Sequence, residues 1–150
     1  MATWKQFEEE AGELAAVVKS RLEAARTYIL ATPRKDGSPR VSGTEVDFKG
    51  PDLSFGSMLN AVKARDLRRD DRCAIHAHPS DDGDAKVKGG AVEVTDRGDK
   101  AGYATGGEPP GDFHAFRLDL QEAVTTTVED GELVIRLWRP GRPVEVFRRR

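Results

Sequence analysis

Apolar residues recur at helical spacing near the N-terminus and alternate with polar residues, as in strands, over most of the remaining chain. Residues 4–26 carry an apolar side chain every three or four positions, which predicts an amphipathic helix. Glutamates gather toward its N-terminal end, where they complement the positive end of the helix dipole. Gly12 predicts a break or kink in this helix. The apolar positions are Trp4, Phe7, Leu14, Val17, Val18 and Leu22.

The later segments read as short β-strands, because β-branched, aromatic and alternating apolar residues are separated by turn signals. The alternation is strict in residues 116–121, and Asp-Gly and Gly-Pro pairs favour tight turns. Those pairs are Asp36-Gly37, Gly50-Pro51 and Asp130-Gly131. The predicted strands are 27–32, 40–48, 52–58, 72–79, 85–95, 113–129 (one long strand or two) and 132–140, with a last short strand in 143–150.

Two features interrupt this series of strands. A short helix is expected after the third strand, with Asn60 as its N-cap and Lys63 at its third position. The Gly89-Gly90 pair predicts a bulge or bend in the fifth strand, and residues 96–112 are expected to form a loop. Six or seven antiparallel strands with few helices predict a mainly β fold, a small barrel in a single domain over residues 1–150. A parallel α/β fold is excluded, since it needs a helix after nearly every strand.

Charge and composition narrow the function classes. The 150 residues include 24 basic and 26 acidic side chains, so the net charge of −2 gives no long-range attraction to nucleic acid or anionic membranes. Any anion site must therefore be local. No apolar run approaches the roughly 20 residues of a membrane-spanning helix, and the N-terminus does not resemble a secretory signal. The single cysteine, Cys73, excludes an intrachain disulfide, and we expect a cytoplasmic protein.

The start of the short helix is the candidate anion site. Its first turn would offer unpaired N–H groups, with the Ser57 hydroxyl before it and the Lys63 ammonium within it. The alternative is an ordinary solvated helix face whose charges pair at i,i+3 and i,i+4. The residues that would form such a face are Arg65, Asp66, Arg68, Arg69 and Asp70.

The three histidines and the cysteine give weaker signals. His76 and His78 would lie on one face of a strand, as two metal ligands do, but no third ligand is near in sequence and no metal site is predicted. A place near a cofactor ring suits this pair better. His114 is expected to be a partly buried or interfacial residue, and Cys73 an inert buried thiol.

The order of these segments resembles the pyridoxamine 5′-phosphate oxidase-like family of split β-barrel flavin and deazaflavin proteins, in particular its small actinobacterial-type members. The matching stretches are YILATPRKDGSPRVSGTEVDF, LSFGSM and NAVKARDLRRDDRCAIHAHP, which lie within residues 28–79. A looser match covers DAKVKGGAVEVT, FHAFRLDL and ELVIRLWRP. The resemblance implies a split barrel that forms a homodimer, with FMN or the deazaflavin coenzyme F-420 bound at the subunit interface.

The resemblance also implies a set of cofactor-binding residues. Ser57 and Lys63 would contact the phosphate, Arg40 would add positive charge near the phosphate or a polyglutamate tail, and the second strand would lie along the ring. Val62 stands where many relatives carry a second cation, and the C-terminus lacks the ending of true pyridoxamine phosphate oxidases. The implied set is Arg40, Val41, Ser42, Gly43, Thr44, Ser57, Met58 and Lys63.

The implied activity is an oxidoreductase that passes a hydride between the cofactor and a small organic substrate, other than the vitamin B6 reaction. Three alternatives remain open: a flavin or deazaflavin carrier or sensor without turnover, a haem-binding relative with a histidine as axial ligand, and a cofactor-free dimeric interaction protein. The axial ligand would be His76, His78 or His114. A role in nucleic-acid binding is disfavoured by the balanced charge.

Overall fold

The computed structural model describes residues 1–104 and 111–150, and these form nine strands and four helices. The helices are α1 (Trp4–Glu10), α2 (Gly12–Glu23), α3 (Val62–Arg69) and α4 (Arg97–Ala101). The strands are β1 (Tyr28–Pro33), β2 (Pro39–Thr44), β3 (Val46–Lys49), β4 (Asp52–Met58), β5 (Arg72–His76), β6 (Asp84–Val94), β7 (Phe113–Glu129), β8 (Glu132–Trp138) and β9 (Glu145–Arg149). The predicted mainly β fold is confirmed.

All strand pairs are antiparallel, and the sheet follows the order β2-β1-β5-β6-β7-β4-β3, with β8 and β9 added outside β7. The predicted strand 40–48 is two strands, because the chain leaves the sheet at Glu45. β2 pairs with β1, whereas β3 pairs with β4 at the other end of the path. The two edge strands, β2 and β3, are therefore joined directly at Glu45, and this connection closes the sheet into a split barrel.

The N-terminal helix is broken near Gly12, as predicted: α1 ends before Ala11, whose φ of −147° and ψ of 57° are not helical. The Thr3 side chain caps α1 by accepting the N–H of Gln6 at 3.1 Å. Because of the break, the glutamates at 8–10 lie at the end of α1 rather than in its first turn. The prediction that the glutamates complement a helix start was therefore wrong for Glu8, Glu9 and Glu10, whereas Glu13 does lie in the first turn of α2.

The core lies between α1, α2 and the concave side of the sheet. The ring of Phe7 stacks on Trp138 of β8 with centroids 4.6 Å apart, and Trp4 meets Phe7 edge to face. All three side chains are buried, so α1 covers one end of the barrel. No helix in the described residues is long and apolar enough to cross a membrane.

The β6–β7 register shifts between Lys88 and Gly89, which confirms the predicted bulge. A side chain at Gly89 would collide with the backbone carbonyl of Asp119, so glycine is required by this close approach. The predicted loop 96–112 instead begins with α4, because the Asp96 side chain caps it by accepting the N–H of Asp99. Residues 105–110 of that loop lie outside the described residues.

Cys73 faces the interior on β5 and is 6% exposed. Burial, with a smaller contribution from the Asp71 carboxylate, raises the pKa of the Cys73 thiol to about 12. The thiolate is the reactive form of cysteine. The predicted burial of this thiol is confirmed, and its raised pKa agrees with the expected low reactivity.

Candidate functional site

The start of α3 lies against β2. The Lys63 ammonium donates a hydrogen bond of 2.7 Å to the carbonyl oxygen of Gly43, which joins the helix to the strand. β2 also lies next to β4, whose end carries Ser57 and Met58. The structure thus brings the predicted strand segment and the predicted helix start together.

Lys63 is half-buried, and burial lowers the pKa of its ammonium below the usual range for lysine. No carboxylate among the described residues contributes an opposing effect on that pKa. The cation is therefore partly desolvated and balanced by a carbonyl dipole instead of an anion. Such a group favours an incoming anion, because a desolvated charge gains more from a partner than a hydrated one.

The predicted N-cap was wrong. α3 begins at Val62, with Ala61 at the cap position and Lys63 at the second helical position. Asn60 instead has a φ of 62°, a left-handed conformation that asparagine tolerates better than most residues. No side chain caps α3 within the described residues, while the N–H groups of Ala64 and Arg65 both donate to the Ala61 carbonyl. In the first turn, the N–H groups of Val62 and Lys63 have no partner among the described residues and remain available to an anion.

The predicted residues of β2 point to two sides of the strand. Val41 and Gly43 are exposed, whereas Ser42 and Thr44 alternate with them and face inward. The Ser42 hydroxyl oxygen is buried and has no hydrogen-bond partner in the described part of the chain. The Ser57 hydroxyl donates to the Met58 carbonyl at 3.3 Å. The β2 residues that were expected to contact one cofactor therefore lie on two faces: Val41 and Gly43 face outward, and Ser42 and Thr44 face inward.

Arg40, also on the inward side, is held by a buried carboxylate. Its Nε lies 2.7 Å from Oδ2 of Asp66, which also accepts the Thr32 hydroxyl at 2.9 Å. Oδ1 of Asp66 accepts from Arg69 at 3.0 Å. Asp66 is only 2% exposed, so its assignment to a solvated helix face was wrong. Burial by itself would raise the pKa of the Asp66 carboxyl, but the hydrogen bonds from Arg40, Arg69 and Thr32 together hold it below its usual value.

The hairpin between β1 and β2 adds basic charge close to Arg40. An open depression of about 520 Å³ is lined by Arg34, Lys35, Asp36 and Arg40. Three of these four side chains are cationic, so this surface would attract the anionic part of a ligand.

Several apolar side chains close in sequence to Gly43 or to Lys63 are exposed. We call them the apolar rim, and they come from β2, from the end of β4 and from the turn before α3. Large apolar side chains exposed close to one another in this way are typical of a binding site or a subunit contact. The apolar rim consists of Val41 (70% exposed), Met58 (64%), Leu59 (50%) and Val62 (50%).

His114 is buried, in agreement with the sequence prediction, and it contacts the turn before α3. Its Nε2 accepts the backbone N–H of Asn60 at 3.0 Å. Sequence reasoning missed this contact, because β4 and β7 are far apart in the chain. The sequence did contain one indication of such a contact: His114 occupies an inward position of an alternating strand, and a buried histidine needs a polar partner.

His76 and His78 are engaged with backbone carbonyls. Nδ1 of His76 contacts the Ala77 carbonyl, and Nε2 of His78 lies 2.7 Å from the Thr27 carbonyl. Within residues 1–104 and 111–150, no group of three His, Cys, Asp or Glu side chains is placed to hold a metal ion. The strand register places His76 opposite Ile29 of β1, which in turn lies opposite Gly43 of β2, so His76 is two strands away from Gly43.

The sequence matches one family model, described as pyridoxamine 5′-phosphate oxidase, over residues 14–127. That range contains β1 to β6, α3 and nearly all of β7, and so every residue of the candidate site. No protein of curated function matches the sequence of this chain.

Several solved structures share the fold at low sequence identity. A pyridoxamine 5′-phosphate oxidase-related, FMN-binding protein from Nostoc punctiforme is 12% identical, with a TM-score of 0.64, covering 96% of this chain and 97% of its own. PhzG from Burkholderia lata, in complex with tetrahydrophenazine-1-carboxylic acid, is 15% identical with a TM-score of 0.63, covering 91% and 88%. General stress protein 26 from Bacillus anthracis is 15% identical with a TM-score of 0.59, covering 72% and 89%.

Proposed function

The chain belongs to the pyridoxamine 5′-phosphate oxidase family, and from that premise we propose that it binds FMN, with the phosphate at the start of α3. The observation that carries the proposal is the half-buried Lys63 ammonium, which lies beside an uncapped helix start and is bound only to the Gly43 carbonyl among the described residues. A phosphate would replace that carbonyl dipole with a full negative charge. The Nostoc protein of the same fold is described as FMN-binding, which supports this choice.

The phosphate would be held by charge and by backbone donors together. The Lys63 ammonium would supply a charge-assisted hydrogen bond, and the backbone N–H groups of Val62 and Lys63 would supply further donors. The Ser42 hydroxyl is buried on the other side of β2 from Gly43, so it is not among the groups proposed to contact the cofactor. The donors at the start of α3 fit a phosphate-bearing cofactor.

The flavin ring would lie along the outward edge of β2. Gly43 has no side chain and no atom within 4 Å of the place where a Cβ would stand, so a flat ring can approach its backbone closely. The apolar rim would cover the other surface of the ring, from the same subunit or from a second copy. We therefore also propose a homodimer in which the apolar rim is buried.

The proposed reaction class is hydride transfer with a small organic substrate. The bound flavin would supply the redox chemistry, while the chain binds, orients and shields it. Vitamin B6 oxidation is not proposed. The strand β9 is exposed along its whole length, and Arg148 of β9 and the following Arg150 form ion pairs with Glu132 of β8.

The deazaflavin coenzyme F-420 is the second candidate. Two observations favour it over FMN: the apolar Val62 at the place of a second phosphate cation, and the basic depression beside Arg40. That depression would suit a longer anionic tail such as polyglutamate. Both cofactors would occupy the same site, and their relative affinities decide between the two candidates.

Titration of the purified protein with FMN, riboflavin, F-420 and haem tests the proposal. We expect FMN to bind at least about tenfold more tightly than riboflavin, since only FMN carries the phosphate that Lys63 would contact. Fluorescence quenching gives both dissociation constants. Tighter binding of F-420 than of FMN would select the second candidate, and binding without turnover would indicate a carrier or sensor. Haem binding without flavin or deazaflavin binding would contradict the proposal.

A further inference from the structure

The turn that joins β4 to α3 is held by a contact from outside itself. The N–H of Ala61 donates to the Met58 carbonyl at 3.1 Å and closes the turn, while Asn60 between them has a φ of 62°. A left-handed residue other than glycine costs conformational energy and persists only when its surroundings fix it. Lys63 lies three residues beyond this turn, so the turn decides where the helix start and the ammonium are placed.

His114 supplies the fixing contact. Its Nε2 lies 3.0 Å from the backbone nitrogen of Asn60, and a backbone N–H can only donate. Nε2 must therefore be the unprotonated nitrogen, and the ring proton is at Nδ1. His114 is 4% exposed, so water does not compete for this hydrogen bond.

Glu93 of β6 fixes the other nitrogen of the ring. Its Oε2 lies 3.3 Å from Nδ1 of His114 and can accept that proton. Arg68 binds the same carboxylate through two nitrogens, at 2.7 and 2.8 Å. Nη2 of Arg68 also lies 3.3 Å from Nδ1, but both are donors in this tautomer, so the carboxylate is the acceptor they share. The Arg68 guanidinium holds the pKa of the Glu93 carboxyl below its usual value, which keeps Glu93 an acceptor.

We propose that His114 is a positioning residue for the cofactor phosphate: it holds the turn at Asn60, and so the first turn of α3 and Lys63, in the geometry that binds the anion. This inference rests on the proposed function. The chain of contacts starts at Arg68 near the end of α3, passes through Glu93 and His114, and returns to Asn60 before the same helix. The helix start is therefore tied to β6 and β7 as well as to β2.

The test uses the variants His114→Leu and His114→Gln with both FMN and riboflavin. Leucine fills the space without an acceptor, and we expect it to raise the FMN dissociation constant by about five- to tenfold with no comparable change for riboflavin. Glutamine places an oxygen near the position of Nε2, so it should restore most of the FMN affinity. Thr125→Val is the matched control, because Thr125 is a buried polar residue (3% exposed) of the same strand, paired with Ala85 and Arg136 away from the turn.

A second measurement does not depend on a variant folding. In the wild-type protein, nitrogen NMR of labelled histidine should show His114 with an unprotonated Nε2 and a protonated Nδ1. The opposite tautomer, equal FMN affinity of wild type and His114→Leu, or equal losses for FMN and riboflavin would each overturn the inference while leaving the proposed function standing. A wild-type protein that binds no flavin or deazaflavin would overturn the proposed function and this inference together.

Discussion

Lys63→Ala is expected to raise the dissociation constant for FMN by about ten- to a hundredfold. A hydrogen bond to a charged group contributes about 1.5–3 kcal/mol, and about 1.4 kcal/mol corresponds to a factor of ten in affinity. Lys63 is half-buried and has no carboxylate partner among the described residues, so its charge is available to the phosphate. Equilibrium titration followed by flavin fluorescence measures the change.

Two controls accompany this variant. Lys88→Ala removes an exposed lysine of β6 and should leave the FMN affinity unchanged. Riboflavin affinity should change little in Lys63→Ala, because riboflavin has no phosphate. If Lys63→Ala binds FMN as the wild type does, the phosphate is held elsewhere.

The pH dependence follows from the same residue. Burial lowers the pKa of the Lys63 ammonium, so the cation is lost at a lower pH than that of a free lysine. FMN affinity should therefore fall as the pH rises through the alkaline range. Lys63→Ala should not show this decrease.

Asp66→Asn is expected to lower the free energy of unfolding by about 3–5 kcal/mol, because removing one member of a buried ion pair leaves its partners without a counter-charge. The Asp66 side chain is 3% exposed, whereas those of Arg40 and Arg69 are 25% and 37% exposed. The two arginines can therefore regain some hydration, which places the expected loss toward the lower end. Urea unfolding followed by circular dichroism measures it, with Asp81→Asn in an exposed loop as the control.

Acid sensitivity gives a second readout for Asp66. The folded-state pKa of its carboxyl is lower than in the unfolded chain, where it is about 3.9. The stabilisation from Asp66 is thus complete above that unfolded value and is lost as the pH falls through the folded-state pKa. The wild type should lose stability in this acid range more steeply than Asp66→Asn. Parallel acid profiles of the two proteins would show that the pKa of the Asp66 carboxyl is the same in the folded and unfolded chain.

Local patterns in the sequence predicted most of the strands. β4 has the predicted bounds, and so does the long β7, because alternation and turn signals are properties of neighbouring residues. The break between β2 and β3 was missed, since alternating residues continue across Glu45 and only pairing with two different strands shows the division. The number of strands therefore could not be read from the pattern.

Two errors at the site have the same cause. Asp66 has the spacing of a solvated, ion-paired helix face, but the fold places it over Thr32 and Arg40 and removes it from water. Asn60 has the chemistry of an N-cap, but His114 takes its N–H and the residue becomes left-handed instead. Both outcomes depend on residues distant in the chain, which spacing within a short window does not contain.

Some contacts of the predicted cofactor residues were expected from the sequence, and others were not. The family resemblance placed Gly43 and Lys63 in one site, and the structure brings them into contact. It could not predict that Arg40 would be paired with Asp66, because relatives share positions along the chain but not every partner of a side chain. The part of the site that the sequence predicts is thus the contact between Gly43 and Lys63, whereas the pairing of Arg40 with Asp66 becomes visible only in the fold.

The most direct test of the central claim is an NMR titration of the labelled protein with FMN, followed through the backbone amides. We expect FMN binding to shift the amide signals of residues 41–44 and 57–63, and to leave the amide signals of β8 and β9 unchanged as long as no dimer forms. The cofactor would then lie between β2 and the start of α3. Shifts confined to other elements, or none with either FMN or F-420, would contradict the account.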